Sequence, residues 1–372
     1  MVNYMWRAQG SIGVGIFVLS QGIAIAADDA AEAVPFIQID VPIELQLDVV
    51  TDPDFAELSD LYATIEPSVA INVASWLTIE FGSTYEPVEG PVDDRAFEDH
   101  GLYLNTAQAV ASFGSVTLQA GKFAPNFSVG FELTPGLNND ALNADAEIAE
   151  RVGFAAAYNL TGEGTAGGVI VSGAAFRRDT SVLSESLFTN RGRLHVSDAG
   201  PGNHDGLESF TLAVDAFELE SLPGVHLHAA YLHQSAGEGD PADEYAWVLG
   251  ANWMIDAGEA AKYQLLEEWA RSEDALGFGD AVSAPGASQD LVTLGAGGTW
   301  RDEWTGSIVY GLRNSDDPVG GDVDEHFVQL TGGYVICDDL SIEAGWQSYD
   351  DGSDTYETFS VRLASGWEYA VE

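Results

Sequence analysis

The sequence has very little cysteine and no long apolar segment beyond its first 27 residues. Its 1 Cys, Cys337, lies in a predicted tight turn, so an internal disulfide is excluded and nothing indicates a redox role. A membrane-spanning helix needs roughly 18 or more consecutive apolar residues, and no downstream run approaches that length. The mature chain is therefore either a soluble exported protein or a protein that crosses a membrane as strands.

Basic residues are also scarce. The chain has 13 Lys and Arg residues against 60 Asp and Glu residues, which gives a formal net charge of −47. A surface of this charge repels nucleic acid and attracts counter-ions. Two compatible interpretations follow: adaptation to a saline habitat, and a pore whose negative lumen enriches cations.

The first 27 residues have the pattern of a cleaved export signal. Arg7 supplies a positive n-region, residues 12–19 an apolar core, and Ala24-Ile25-Ala26 a small-residue cleavage site. The apolar core is too short for a membrane helix and is interrupted by glycine. We therefore predict that residues 1–27 are removed on export.

Alternation of apolar and polar residues is the pattern that the chain does have. Residues 43–49 read Ile-Glu-Leu-Gln-Leu-Asp-Val, and strand side chains project to opposite faces with period two. About sixteen such segments occur, joined by alternately long and short connections, which is typical of outer-membrane barrels. We predict an all-β transmembrane antiparallel β-barrel of about 16 strands over residues 28–372, with residues 28–42 as a short periplasmic N-terminal segment.

The predicted strands begin at the periplasmic end and alternate in direction. Their boundaries are residues 43–50, 60–74, 77–85, 102–113, 115–124, 151–160, 167–177, 208–218, 224–234, 244–255, 260–271, 289–300, 304–313, 325–336, 340–349 and 357–369.

Aromatic residues give a second, independent indication of a membrane barrel. Amphipathic rings prefer the headgroup level, so a barrel carries two aromatic belts. A soluble β-sandwich would scatter its aromatics or collect them centrally. The outward belt predicted at the loop end is Tyr62, Tyr85, Tyr103, Tyr231, Tyr245, Trp269, Tyr310 and Trp346, and the belt at the turn end is Trp76, Phe113, Tyr158, Trp253, Trp300, Trp304, Tyr334, Trp367 and Tyr369.

In strand count, loop rhythm and the position of its long loop at residues 125–150, the chain resembles the sixteen-stranded porins of Gram-negative bacteria. The likeness covers nearly the whole mature length, and Gly121-Lys122-Phe123-Ala124-Pro125 resembles the step with which many porins enter their third external loop. One departure is the end of the chain, where Tyr369 is followed by Ala-Val-Glu instead of a terminal aromatic residue. The resemblance implies an inward-folded constriction loop, a homotrimer, a location in the bacterial outer membrane and no enzymatic activity.

The same resemblance suggests which residues face the pore. Rings of carboxylates favour cations. Any single acid could instead cap the loop helix or face outer solvent. Lys122 is a further candidate for the pore lining, but it shares parity with outward-facing Leu118, which favours a place at the outer interface. The predicted loop acids are Glu132, Asp140, Asp145, Glu147 and Glu150, and the predicted wall residues opposite them are Glu44, Asp48, Glu80, Gln119 and Arg151.

Other chemistry is weakly indicated. His226 and His228 share one strand face, which is half a metal site, but the sequence places no third ligand. Residues 350–354 resemble a loose calcium loop, so divalent ions could bridge external loops. Ser209 and His204 form an unconstrained candidate pair for a hydrolase. We predict no metal centre, no cofactor and no catalytic residue.

The sequence therefore predicts an outer-membrane porin: a water-filled channel for passive diffusion of small hydrophilic solutes and ions, with a preference for cations. Its partners would be outer-membrane lipid and the solutes themselves. Three alternatives stay open. They are a substrate-selective porin for a sugar, siderophore or other nutrient, a structural or adhesive barrel that binds a partner through residues 178–207, and a soluble exported β-protein.

Overall fold

The computed structural model describes residues 35–51, 57–137, 142–161, 168–278 and 282–371. The predicted export signal, residues 1–27, and the predicted pore residue Asp140 lie outside these ranges. Among the residues described, no helix is long and apolar enough to span a bilayer.

The chain forms a closed antiparallel barrel of 16 strands, as predicted. Neighbouring strands pair in chain order, and pairing of the first strand with the last closes the barrel. The strands are β1 Ile37–Thr51, β2 Leu58–Ile65 continued by Ser68–Ala74, β3 Leu77–Pro87, β4 His100–Phe113, β5 Val116–Phe123, β6 Arg151–Asn159, β7 Gly168–Arg178, β8 Ser209–Leu219, β9 Leu222–Gln234, β10 Glu244–Asp256, β11 Ala261–Leu276, β12 Val282–Trp300, β13 Trp304–Asp317, β14 Gly321–Cys337, β15 Leu340–Asp350 and β16 Thr355–Val371.

The other elements are short and lie mostly in loops. Two-residue strands Arg95–Ala96 and Leu187–Phe188 pair with β2 and β4. Within the described ranges, helix α1 covers Gly130–Leu133, and 3₁₀ turns cover Asn143–Ala146, Val182–Ser184, Val196–Asp198 and Gly258–Ala260.

Alternation produces a barrel that is apolar outside and polar inside. On β1, Ile43 and Leu47 are exposed on the outer face, whereas Gln46 faces the interior and is buried. Large apolar side chains continue this outer surface around the barrel, and the exposed ones include Leu212, Leu249, Leu294, Ile308, Leu330 and Leu363. A continuous apolar surface of this extent requires a lipid environment.

The strands differ from the predicted boundaries mainly at their ends. β11 continues to Leu276 and β12 begins at Val282, although residues 272–288 read as a loop, and β13 and β14 similarly run into the predicted loop 314–324. Outside the bilayer the outer face need not be apolar, so hydrogen-bonded pairing continues where the alternation ends. Residues 37–42, assigned above to the N-terminal segment, belong to β1 and pair with β16, because Pro42 interrupts the sequence pattern but not the strand.

The aromatic belt at the turn end is present, and all nine of its predicted members are exposed. Within it, the ring centroids of Trp76 and Phe113 are 5.3 Å apart, and those of Trp304 and Tyr334 are 4.7 Å apart. Two members predicted for the loop-end belt are wrong, because Tyr62 and Tyr103 face the lumen. Tyr62 lies opposite inward-facing Gln46.

The reversal of Tyr103 has a local cause. A β-bulge in β4 shifts the register between the Gly82–Thr106 pair and the Ser83–Leu104 pair. The extra residue moves the side chains of β4 on the N-terminal side of the bulge, including Tyr103, to the opposite face. Tyr103 consequently hydrogen-bonds Glu86 on β3.

Candidate functional site

The connection between β5 and β6, residues 124–150 and hereafter the inner loop, folds into the barrel and follows the inside of its wall. His228 Nε2 on β9 lies 2.6 Å from the Phe127 carbonyl oxygen. Gln264 of β11 donates to the Leu133 carbonyl (2.6 Å), and the Leu137 amide donates to Gln329 of β14 (2.9 Å). The described part of the inner loop therefore lies across the lumen against the wall from β9 to β14.

A buried carboxylate fixes the first half of the inner loop. Glu268 of β11 accepts hydrogen bonds from the Ser128 hydroxyl (2.7 Å) and from the amides of Val129 and Gly130 (2.9 Å each). These amides begin α1, where free donors and the helix dipole favour a negative charge. Three donors compensate the burial of this charge. A Cβ at Gly130 would lie 2.4 Å from Glu268 Oε1, so a larger residue here would displace this carboxylate.

Apolar packing fixes the inner loop along its length. A buried cluster inside the barrel joins loop residues Phe127, Leu142 and Ile148 to wall residues Phe176 and Phe327. Burying one such side chain contributes roughly 1.5–3 kcal/mol. The apolar core of this protein therefore lies between the inner loop and the wall.

The second half of the inner loop carries a charged anchor. Asp145 accepts from Arg313 of β13, which also donates to Glu325 of β14. Asp145 was predicted to face the pore or its mouth, and in the structure it forms this ion pair. The position of Arg313 could not be predicted, because 168 residues separate it from Asp145.

Two of the predicted loop acids have no ion pair in the described part of the chain. Glu132 is half-buried, and loss of solvation raises its pKa to about 7. Burial also raises the pKa of Glu147 to about 7, with additional contributions from the nearby charges of Glu132, Glu66 and Glu86. Glu66 of the β2 interruption and Glu86 of β3 belong to the wall not covered by the inner loop. Glu132 and Glu147 of the inner loop and Glu66 and Glu86 of the open wall therefore form one group of neighbouring carboxyl groups.

The predicted wall acids all lie on inward faces. Asp48 accepts from Gln46 (2.9 Å) and from the Tyr62 hydroxyl (3.0 Å). Glu80 accepts from Gln108 (2.8 Å). The partners of these two acids named here, Gln46, Tyr62 and Gln108, are neutral side chains.

Glu44 differs from the other wall acids because it faces a cation. Arg362 of β16 donates to Glu44 (3.2 Å) and to Glu343 of β15 (2.8 Å). Arg362 was not among the residues predicted to face the lumen. Inward parity on the last strand would have placed it in the lumen, but its pairing with β1 depends on barrel closure across 318 residues.

Lys122 and Glu150 lie away from the lumen centre. Lys122 is on the outward face of β5, opposite Val152, which agrees with its predicted parity. It is nevertheless buried, with its Nζ 2.7 Å from Glu150 and 2.8 Å from Asp179. Glu150 also accepts two hydrogen bonds from Arg191. Both residues therefore attach the long external loop after β7 to the barrel, and neither is a free charge at the pore.

Arg151 and Gln119 have inward parity but are covered. Arg151 is buried and donates to the Ala149 carbonyl. Gln119 lines a small cavity between the wall and the start of the inner loop at Phe123 and Asn126. Their predicted contact with the open pore is therefore replaced by contact with the base of the inner loop.

The weaker chemical candidates have partners of their own. His204 Nε2 lies 3.0 Å from Ser209 Oγ, but Ser209 is fully buried. Asp351, in the aspartate-rich turn, accepts from the amides of Ser353 and Asp354 (2.8 and 2.9 Å). His226 and His228 do have a third group beside them, Asp215 of β8.

Comparison with solved structures places the fold among outer-membrane porins. OmpF of Salmonella typhi, solved with daunomycin, has a TM-score of 0.59 at 12% identity and covers 88% of this chain and 97% of its own. The outer membrane channel DcaP of Acinetobacter baumannii has a TM-score of 0.58 at 11% identity, with coverages of 92% and 100%. The trimer form of OmpT, an outer membrane protein of Vibrio cholerae, has a TM-score of 0.50 at 11% identity, with coverages of 89% and 99%.

At these identities the likeness concerns the fold. No protein-family model matches the chain, and no curated protein matches it. The structure is a porin-like closed barrel of 16 strands, the architecture with which porins span the bacterial outer membrane.

Proposed function

We propose that the protein is a water-filled outer-membrane channel for passive diffusion of small hydrophilic solutes, that it prefers cations, and that it catalyses no reaction. A barrel of about sixteen strands is too wide for its side chains to fill, so water occupies whatever the inner loop leaves open. The inner loop would then set the width of the constriction.

The observation that carries the cation preference is the acidic group between the inner loop and the open wall. Glu132 and Glu147 lie on the loop side, and Glu66 and Glu86 lie on the wall side. Carboxylates that face one another across a narrow water-filled passage create a negative potential that admits cations and repels anions.

The experiment is a reversal-potential measurement in planar bilayers under a KCl gradient at pH 8. We expect a cation-signed potential that falls in the double variant Glu132→Gln/Glu147→Gln. Glu238→Gln, at an exposed acid in the external loop 235–243, is the matched control and should leave the potential unchanged. Absence of conductance would refute the channel, and an anion-signed potential would refute the cation preference.

We further propose that the protein assembles as a homotrimer in outer-membrane lipid. The trimer form of OmpT, which shares this fold, supports the proposal. Light scattering of the detergent-extracted protein should give three chains per particle. Flux that saturates with one sugar or siderophore, measured in liposomes, would support the substrate-selective alternative in place of general diffusion.

A further inference from the structure

Three lumen-facing side chains on two adjacent strands converge beside the start of the inner loop. Asp215 lies on β8, and His226 and His228 lie on β9. Asp215 Oδ1 is 2.9 Å from His226 Nε2 and 2.8 Å from His228 Nδ1. All three donor atoms lie within 4.8 Å of one another.

The surrounding hydrogen bonds orient these groups as metal ligands. His228 Nε2 lies 2.6 Å from the Phe127 carbonyl and its Nδ1 lies 2.8 Å from Asp215 Oδ1, so both ring nitrogens donate. A bound ion would displace the Nδ1 proton, while the bond from Nε2 to the carbonyl would keep the ring oriented toward the cluster. Asn126 donates to the second oxygen of Asp215 (2.8 Å). Metal-ligating histidines characteristically donate their other ring nitrogen to a carbonyl or carboxylate, and ligating carboxylates are themselves hydrogen-bonded.

The donor set and spacing fit a divalent transition metal. Two imidazoles and a carboxylate are ligands that Zn²⁺ accepts, with the fourth position open to water. Bond lengths of about 2.1 Å place tetrahedral ligands about 3.4 Å apart. Asp215 Oδ1, which is 2.9 Å and 2.8 Å from the two imidazole nitrogens, would therefore need to move away from each by only about half an ångström.

An ion can reach this cluster from one side. The side chain of His228 is 1% exposed and that of Asp215 is 13% exposed, whereas that of His226 is 23% exposed. His228 and Asp215 form the floor of the cluster, and His226 forms its entrance from the lumen. The carboxylate of Glu268, close to His228, adds negative potential.

We propose that Asp215, His226 and His228 bind one divalent transition-metal ion of the zinc class. This site is independent of the proposed diffusion function. Because Asp215 and His228 also contact Asn126 and Phe127, a bound ion would tie the start of the inner loop to the wall.

The test uses the full mature protein, purified without a polyhistidine tag. Zn²⁺ binding is measured by calorimetry, and Co²⁺ binding by its visible absorption. We expect one ion per chain. Loss of an outer hydrogen-bond partner alone typically weakens metal binding about 10- to 100-fold, so His226→Gln and Asp215→Asn should each weaken it by about 100-fold or more.

The chain offers a matched control. His233 Nε2 lies 3.3 Å from Asp243, which is a histidine–carboxylate pair with no third ligand among the residues that the structure describes. His233→Gln should therefore bind Zn²⁺ like the unaltered protein. Heat-modifiable gel migration verifies that each variant folds. Absence of stoichiometric binding, or binding that survives in folded His226→Gln and Asp215→Asn, would overturn the proposal and leave the cluster as a hydrogen-bond network.

Discussion

The two sides of the lumen use charge differently. On the side covered by the inner loop, the buried charges have partners. Glu268 accepts hydrogen bonds from three donors, and Asp145 forms an ion pair with Arg313. On the open side, Glu66 lies close to the loop acid Glu147 and to the wall acids Glu44 and Glu86, and Arg362 is bound between Glu44 and Glu343. Charges that have partners therefore hold the inner loop against the wall. The remaining carboxyl groups lie on the side of the lumen that the inner loop leaves open, where solutes would pass.

Replacing Glu268 should produce the largest change in this comparison. Glu268→Ala leaves three donors at the start of α1 without an acceptor, at about 1–3 kcal/mol each. We expect the inner loop to detach and single-channel conductance to rise, with noisier gating.

A second buried acid provides the control for Glu268. Glu244 accepts from Gln234 (2.6 Å) on the neighbouring strand of the wall, so Glu244→Ala should leave conductance near that of the unaltered channel. Unchanged conductance in Glu268→Ala would show that other contacts alone hold the inner loop.

Replacing Arg313 should have the next largest effect. Arg313→Met leaves Asp145 and Glu325 without their cation. Breaking a fully buried pair costs about 3–5 kcal/mol, and the cost here is smaller because the Arg313 side chain is 18% exposed. We expect the barrel to unfold at a lower temperature, read from its heat-modifiable gel migration. We also expect a stronger cation preference, read from the reversal potential. Arg271→Met, which removes an outward-facing cation paired with Asp290, should change neither property.

The pH dependence of cation preference tests the acids of the open side without mutation. The pKa values of Glu132 and Glu147 are raised to about 7, so both carboxyls are protonated and neutral below that pH and charged above it. We expect cation preference to rise between about pH 6 and pH 8. The double variant Glu132→Gln/Glu147→Gln should lose this dependence. A transition centred near pH 4 in the unaltered channel would contradict the account.

Replacing Arg362 should have the smallest effect. Arg362→Gln removes a cation from the open side but leaves the inner loop unaltered. We expect a modest increase in cation preference, read from the reversal potential, with conductance nearly unchanged. An unchanged reversal potential would show that Glu44 and Glu343 lie outside the conducting path.

Much of the barrel could be predicted, because period-two alternation is local. The strand number, the inward faces of Glu44, Asp48 and Glu80, and the outward face of Lys122 all follow from parity. Parity failed at Tyr103, where one extra residue in β4 reverses the faces. Nothing in the alternation indicates such a bulge.

The attachment of the inner loop could not be predicted from local pattern. Glu268 and Gly130 are 138 residues apart, and their contact depends on how the loop crosses a closed barrel. Glu150 shows the same limit, because its partners Lys122 and Arg191 come from strand β5 and from the external loop after β7. The sequence indicated an acidic loop, but long-range pairing determines which acids remain free.

The most direct test of the central claim asks whether the loop acids border the open passage. Cys337 is the only cysteine, so Cys337→Ser provides a background in which Glu147→Cys is the sole thiol. A positively charged methanethiosulfonate reagent, added to single channels in a planar bilayer, should reduce conductance and cation preference. Glu238→Cys in the same background should show little change. Unchanged conductance after verified modification of Glu147→Cys would contradict the account.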